Sequence, residues 1–497
     1  MIGNRFLQVL VFIVGSASLG AEIAAARLMA PFFGASTIVW ANTIGVVLVA
    51  LSVGYWIGGR LGDRHPHLRG LCLLVAGAAV LLAVVPFVAR PFLEVSVEAL
   101  DSVSAGAFVG SLIGVLFLVA VPVILLGACS PYALRLAVPD VEHSGRVSGR
   151  LYAISTAGSL VGTMLAALVL IPFAGTQRTF LAFAAALALI AALGLGWRFL
   201  ALPAALIGAL ALPVGTIKAA GDARVLYERE SALQYIRVVE EPDGDRVLEL
   251  NEGQARHSLY RPGSYLTGGY WDGMLVLPFT TLERPPRRVA ILGNGAGTTA
   301  RGYGRFFPRA RVDGVEIDPK LEEVGRRYFD MGSNPNLTVH NEDARPWLRR
   351  SAGGYDVIVV DSYRQPYVPF YLATREFFDL VRDRLAPGGV VLVNVGHPEE
   401  NDDLEEVIGR TMSAVFANVL RDPFDDSNTL LIASEGESSA GRLRAAIGTL
   451  PAALRRLAET EAARVGPRLP GGSIYTDDRA PVEWLVDRSI LGYAADR

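Results

Sequence analysis

The spacing of apolar residues divides this chain near position 217. Before that point, apolar stretches long enough to cross a bilayer occupy residues 6–30, 37–58, 70–88, 105–126, 151–175, 179–197 and 199–214. Gly, Ala and Ser dominate them, as in AISTAGSLVG at 153–162, and such small side chains let helices approach closely in lipid. The first stretch is too long for a cleaved leader and further spans follow it, so it reads as a span. Beyond 217 the pattern changes. Residues 224–240 and 245–254 alternate apolar and polar positions around Glu241-Pro242-Asp243-Gly244, which predicts a β-hairpin. Short buried strands then alternate with helical stretches. They are a strand at 289–292, one closed by Glu316, one ending in Asp343, one ending in Asp361, and one after the turn Pro387-Gly388-Gly389. Residues 419–422 and 428–434 read as a closing antiparallel pair. Strands in this alternation form a parallel, doubly wound sheet. The expected architecture is a multi-span α-helical membrane domain (1–217), a linker with a small β unit (218–280), and an α/β Rossmann-like doubly wound domain (281–497).

Composition sharpens this division. The 497 residues are 51% hydrophobic with a mean hydropathy of +0.36, and the excess is confined to the first part. A net charge of −3 gives no global field for nucleic acid, so no such partner is expected. Cys72 and Cys129 sit in apolar runs, and the six histidines are scattered without ligand spacing, so neither a disulfide framework nor a metal site is expected. Arginines gather in the second connection (Arg60, Arg64, Arg69) and the fourth (Arg135, Arg146, Arg150), which places both on the cytoplasmic side. Six spans would deliver the C-terminal part to the cytoplasm; a seventh would place it outside. The last candidate is short and carries Pro203 and Pro213, which suits a tilted or interfacial segment. Glu22 and Arg27 lie inside the first span, where ionisable groups mark either a site or a buried structural pair.

Candidate chemistry concentrates after the strand at 289–292. Gly293, Gly295 and Gly297 allow a tight turn and close ligand approach, and the following helix start offers free N–H groups. Glu316 lies nineteen residues after Gly297, at the end of the second strand, where an acid can accept hydrogen bonds from both ribose hydroxyls. Asp343 and Asp361 end the next two strands. Ligands bind at the carboxyl ends of such strands, so these groups outline a nucleoside site; a plain strand–helix turn is the alternative. A second patch, rich in aromatics and glycine, holds Tyr265, Gly268, Gly269, Tyr270, Trp271 and Asp272. The acids of TDDRAPVEW at 476–484 could serve a site or cap a helix, and the cap reading is preferred.

With these residues in view, 223 to about 419 resembles the spermidine synthase (polyamine aminopropyltransferase) family. The whole chain resembles the bacterial proteins in which such a domain follows a transporter-like membrane domain. GGRLGDRHPHLRG at 58–70 is similar to a loop between the second and third helices of major facilitator transporters. The resemblance implies a methyltransferase-type Rossmann fold behind a small β domain, with S-adenosylmethionine or its decarboxylated form as co-substrate and no prosthetic group. It implies that Gln234, Gln254, Glu316 and Asp343 bind the nucleoside, although Leu233 replaces a family tyrosine. It implies that Asp361 is the base that strips a proton from an attacking amine.

The chain departs from the family around the amine. Ala296 replaces an aspartate of the glycine motif, Arg364 replaces the second acid after Asp361, and Tyr270-Trp271-Asp272 replaces Tyr-His-Glu. A cationic amine is held by carboxylates, and an arginine there repels it. Tyr270, Asp272 and Arg364 are therefore the substrate-facing candidates for an altered acceptor. The expected activity is transfer of an aminopropyl group to an amine with release of methylthioadenosine. Alternatives are a lyase giving methylthioadenosine and a lactone, a methyltransferase, and, in another class, a nucleoside-sensing transporter or non-catalytic binding protein. The expected partners are a nucleoside, an amine and membrane lipid, with a homo-oligomer left open. The expected location is the bacterial inner membrane, with the catalytic domain in the cytoplasm because sulfonium nucleosides are made there.

Overall fold

A computed structural model describes residues 4–33, 37–100, 106–138, 140–212, 217–218, 220–251, 255–362, 368–397, 401–483 and 485. The chain forms two compact units, one of residues 1–219 with 228–236, the other of residues 220–227 with 237–497.

The first unit is helical. Its elements are α1 (Asn4–Phe33), α2 (Thr37–Arg64), α3 (Leu68–Leu100), α4 (Gly106–Leu118), α5 (Ala120–Ala137), α6 (Ser144–Leu165), α7 (Ile171–Ala174), α8 (Thr176–Leu195) and α9 (Ala201–Ala209). Five π-helical residues, Ala166–Leu170, join α6 to α7. Among the described residues, six helices are long and apolar enough to cross a membrane: Asn4–Phe33, Val39–Arg64, Leu68–Leu93, Ala120–Ala137, Ser144–Ala174 and Thr176–Leu195. Small residues line their seams, as their composition predicts. A Cβ added to Gly158 or Gly162 of α6 would strike the backbone of Phe12 or Ser16 in α1, and one added to Gly58 of α2 would strike Ala128 in α5. Ser16 Oγ donates to the Gly158 carbonyl across the first of these seams at 2.7 Å.

Two of the seven expected spans are corrected. The stretch at 105–126 is not one helix. It breaks at Val119, and Pro122, which has no N–H to give, falls in the first turn of α5 where none is needed. The stretch at 199–214 yields the nine-residue α9, too short to span. Arg27 donates to the Ala232 carbonyl, a partner within the same unit that satisfies one N–H of its guanidinium.

Four strands, β1 (Arg224–Glu230), β2 (Tyr235–Glu240), β3 (Arg246–Leu250) and β4 (Arg256–Tyr260), form a sheet in sequential order. The expected turn between β2 and β3 closes with Glu241 N bonded to Asp245 O at 2.8 Å, and Gly244 takes φ +87°. Then follow α10 (Tyr270–Val276), β5 (Arg288–Leu292), α11 (Thr298–Phe306), β6 (Arg311–Val315), α12 (Pro319–Tyr328), β7 (Leu337–His340), α13 (Ala344–Arg350), β8 (Tyr355–Val360), α14 (Arg375–Arg384), β9 (Leu385–Gly396), α15 (Asp403–Ser413), β10 (Asn418–Pro423), β11 (Asn428–Ser434), α16 (Ala440–Ala446), α17 (Ala452–Arg464) and β12 (Gly466–Pro467).

The eight-stranded sheet has the order β7-β6-β5-β8-β9-β11-β10-β12. Strands β7, β6, β5, β8 and β9 run parallel, and β11 is antiparallel to both β9 and β10. Alternate side chains on each central strand feed opposite cores. Ala290 and Leu292, Ile358 and Val360, and Val391 and Val393 pack on one face; Val289 and Ile291, Val357 and Val359, and Val390 and Leu392 pack on the other. Helices cover both faces, which is why these strands read as unbroken apolar runs. Several helices start where the sequence supplies a cap. Asp318 accepts from Lys320 N at 3.0 Å with Pro319 behind it, and Thr374 accepts from Phe377 N at 3.3 Å.

Candidate active site

The strand order reverses between β5 and β8, and in a doubly wound sheet the crevice at that reversal, beyond the carboxyl ends, takes the ligand. The glycine turn follows β5 directly. Gly293, Gly295 and Gly297 have φ of +90°, +52° and +89°, a region that only glycine enters freely. A Cβ at Gly293 would strike the Asp361 carbonyl, so glycine there permits the turn and the end of β8 to touch. Gly293 N and Asn294 N both donate to Val315 O at 2.9 Å, tying the turn to β6. From the other side Ser258 of β4 accepts from Ala296 N at 2.9 Å. Gly293→Ala is expected to cost at least about 1–2 kcal/mol from the left-handed backbone alone, with the clash added. A lowered denaturant midpoint in the full-length protein checks this; an unchanged midpoint would show that the turn relaxes around the methyl group.

Glu316 stands just past β6 with its carboxylate in the turn. Gly295 N donates to Oε2 at 2.9 Å and Asp318 N to Oε1 at 3.1 Å. Burial outweighs these bonds and pushes its pKa up to about 7. Asp343 follows β7 and caps α13: Oδ1 accepts from Arg345 N at 3.0 Å and Oδ2 from the Tyr371 hydroxyl at 2.8 Å. Asp361 follows β8. Asn394 Nδ2 donates to its Oδ1 at 2.8 Å, and the Tyr270 hydroxyl lies 3.3 Å from both oxygens. Burial pushes Asp361 up to about 6 against the bonds from Asn394, Tyr270 and Trp271. The structure thus places the glycine turn, Glu316, Asp343 and Asp361 just beyond the ends of four neighbouring parallel strands, with Tyr270 reaching in from α10.

Asp272 has a different place from the substrate-facing one expected of it. Its carboxylate accepts from Thr267 N (3.0 and 2.9 Å), Thr267 Oγ1 (3.0 Å) and Gly268 N (2.7 Å), so it braces the loop that leads into α10. Those donors come from Thr267 and Gly268 at the end of that loop, and they leave little capacity for a substrate. Gln234 lies in the turn between β1 and β2, closed by Ser231 N bonded to its carbonyl at 2.8 Å, and belongs to the first unit. Gln254 and Arg364 lie outside the described residues.

Sequence reasoning passed over several groups. Asn394 is buried in β9, and Asn428 donates to its Oδ1 at 2.9 Å, giving the chain Asn428–Asn394–Asp361. Its one signal is an amide inside an apolar run, VVLVNV. Arg301, fully buried in α11, donates to Ser264 O at 2.7 Å and lies over the rings of Tyr260 and Tyr265, at 4.6 and 5.1 Å. It fixes the aromatic loop to the helix behind the glycine turn. Two groups could share a cation among the described residues, His397 with Asp402 and Glu405, and Glu241 with Asp243 and Asp245. Each already carries a guanidinium, since Arg421 pairs with Glu405, Arg256 with Glu241 and Arg261 with Asp245.

The arrangement sets the glycine turn beside a half-buried carboxylate whose raised pKa suits a proton acceptor. Residues 272–422 match the spermine/spermidine synthase domain. A probable polyamine aminopropyl transferase of Bifidobacterium longum is 31% identical over 295 residues, covering 55% of this chain and 65% of that one, so the match spans just under two thirds of the relative. Polyamine aminopropyltransferase 2 of Ralstonia nicotianae is 27% identical over 427 residues, 80% of this chain and 79% of its own. A probable spermidine synthase structure from Corynebacterium glutamicum superposes with a TM-score of 0.39 at 21% identity, over 53% of this chain and 98% of that one. The match to the spermine/spermidine synthase domain thus lies in the C-terminal half of this chain, over residues 272–422.

Proposed function

We propose that the chain is a membrane-bound transferase that binds S-adenosylmethionine or its decarboxylated form, moves the aminopropyl group of the decarboxylated donor (or its carboxylate-bearing counterpart from the intact one) to an amine, and releases methylthioadenosine. The observation that carries this is Asp361, an acid held at the strand-order reversal by Asn394 and Tyr270 and touching the glycine turn. In the reaction the amine nitrogen attacks the carbon beside the sulfonium. The new C–N bond forms as the C–S bond breaks, its electrons leave on sulfur as the neutral thioether, and Asp361 takes the proton lost by nitrogen. Orientation of the two reactants supplies much of the rate. Glu316 receives the ribose hydroxyls and Asp343 the adenine amino group. The site works on the cytoplasmic side of the inner membrane, the six long apolar helices serving as the anchor.

Ala296 favours a donor or acceptor unlike that of spermidine synthases. It is fully buried in the turn and puts a methyl group where the resembling family carries an aspartate. Purified full-length protein, incubated separately with each sulfonium donor and a panel of amines, is expected to release methylthioadenosine only when an amine is present, and to gain less from putrescine than from other acceptors. Release from the carboxylate-bearing donor without any acceptor would assign the lyase reaction. Brisk putrescine-dependent turnover would show that other groups hold the amine, and no release from either donor would remove the enzymatic reading.

A further inference from the structure

The segment Tyr475–Arg479 lies far along the chain from the glycine turn, yet it is built into the acid that ends β7. Asp477 clasps Arg345 through two bonds, Nη1 to Oδ1 at 2.7 Å and Nη2 to Oδ2 at 2.6 Å. Thr374 Oγ1 adds a third bond to Oδ1 at 2.7 Å, and Asp477 N donates to Glu376 at 2.9 Å. Arg375 N bonds the Tyr475 carbonyl at 2.8 Å, while the Tyr475 ring sits in the core beneath the sheet. These bonds fix Asp477 against the start of α14.

Arg345 passes the restraint on. Its Nη1 also donates to the Tyr371 carbonyl at 3.0 Å, and the Tyr371 hydroxyl donates to Asp343 Oδ2 at 2.8 Å. Its Nε has no hydrogen-bond partner among the described residues, so the two Nη groups set the orientation of the fork. The carboxylate torsion of an aspartate is broad and roughly two-fold, so a bond to one oxygen chooses the plane of the group. Arg345 N holds Oδ1 and Tyr371 holds Oδ2, and each oxygen retains a lone pair for a further donor.

We propose that Asp477 is a positioning residue for nucleobase recognition, acting through Arg345 and Tyr371 on Asp343. The proposal rests on the reading of Asp343 as the acceptor of the adenine amino group. The plane of the Asp343 carboxylate then decides whether that amino group is met along a lone pair or across one. Asp477 itself touches neither ligand nor Asp343. Its carboxyl is held below the usual range by the Arg345 bonds, so the clasp persists across the neutral pH range.

The test compares methylthioadenosine with methylthioinosine, in which a carbonyl oxygen replaces the amino group, by calorimetry on the full-length protein in detergent. Wild type is expected to prefer the adenine compound by about 100-fold, the scale of a buried acceptor left without its donor. Asp343→Ala should bring the two affinities together. Asp477→Asn and Tyr371→Phe should each lower the preference by roughly 3- to 10-fold, and the double variant should do no more than either alone, because both act on one carboxylate. If Asp343→Ala leaves the preference intact, the nucleobase reading fails and the proposal with it. If Asp343→Ala removes the preference while Asp477→Asn keeps it, or weakens both nucleosides equally, the reading stands and Asp477 is only a fold contact. Should Asp477→Asn not fold, Arg345→Gln breaks the same clasp from the other side and is read by the same two outcomes.

Discussion

Asp361→Asn is expected to reduce methylthioadenosine release by about 100- to 10,000-fold, the range that a positioned proton acceptor supplies, with nucleoside affinity kept within about threefold. The amide keeps the size of the carboxylate and can still meet Asn394 and Tyr270, but it cannot accept a proton. In the unaltered protein the same group gives the rate its acid limb. With a pKa of about 6, Asp361 is increasingly protonated as pH falls through 6, and activity should fall with it. Stability moves the opposite way. A carboxyl raised from 3.8 to about 6 binds more protons folded than unfolded, so its charged form costs stability as pH rises through that window. The asparagine variant carries no such cost and should melt no lower than wild type at pH 8. Lost turnover with an undiminished midpoint separates chemistry from folding. Substantial release by the variant would mean that another group takes the proton, or that the reaction needs none.

The parts of this site that were legible in the sequence follow from one rule. In a parallel sheet the residue after each buried strand sits at one edge, so a glycine run and three acids at successive strand ends must share that edge. That rule needs only the alternation of apolar runs, and it places Gly293, Glu316, Asp343 and Asp361 at one edge. Groups that approach from within a strand or from another layer leave no such mark. Asn394 looks like one more interior position of β9, because pairing with Asp361 depends on which side of the pleat it faces. Asp272 shows the reverse. Its place beside Tyr270 and Trp271 suggested a substrate group, but the chain turns at Gly268 and Gly269 and brings the donors of Thr267 back onto it. In the helical half, composition marked apolar length well and breaks poorly. Residues 105–126 are apolar throughout, and only Pro122 hints that the helix restarts at Ala120. TDDRAP reads in the sequence as a cap, since nothing in it shows that Arg345 lies across the fold from Asp477.

Glu316→Gln is expected to weaken methylthioadenosine binding by about 10- to 100-fold, the loss of a charge-assisted bond to the ribose. The structure makes the prediction sharper than a plain deletion. Two of its donors are backbone N–H groups, those of Gly295 and Asp318, and burial holds it at about 7. A sugar diol brings hydroxyl donors that favour the charged form. Binding should therefore draw the pKa down, release a proton near pH 7, and grow stronger as pH rises from 6 to 8. Calorimetry in two buffers of different ionisation heat reads that proton directly, and the glutamine variant should show neither the release nor the slope from this group. The free protein gives the complementary sign. A carboxyl raised from 4.5 to about 7 costs folded-state stability as pH rises through that interval, so Glu316→Gln should leave the unliganded protein as stable as wild type or more so at pH 8. Loss of affinity without loss of stability is the signature of a group kept charged for a ligand. Unchanged affinity in the variant would take the ribose away from Glu316 and leave its carboxylate as a brace for the glycine turn.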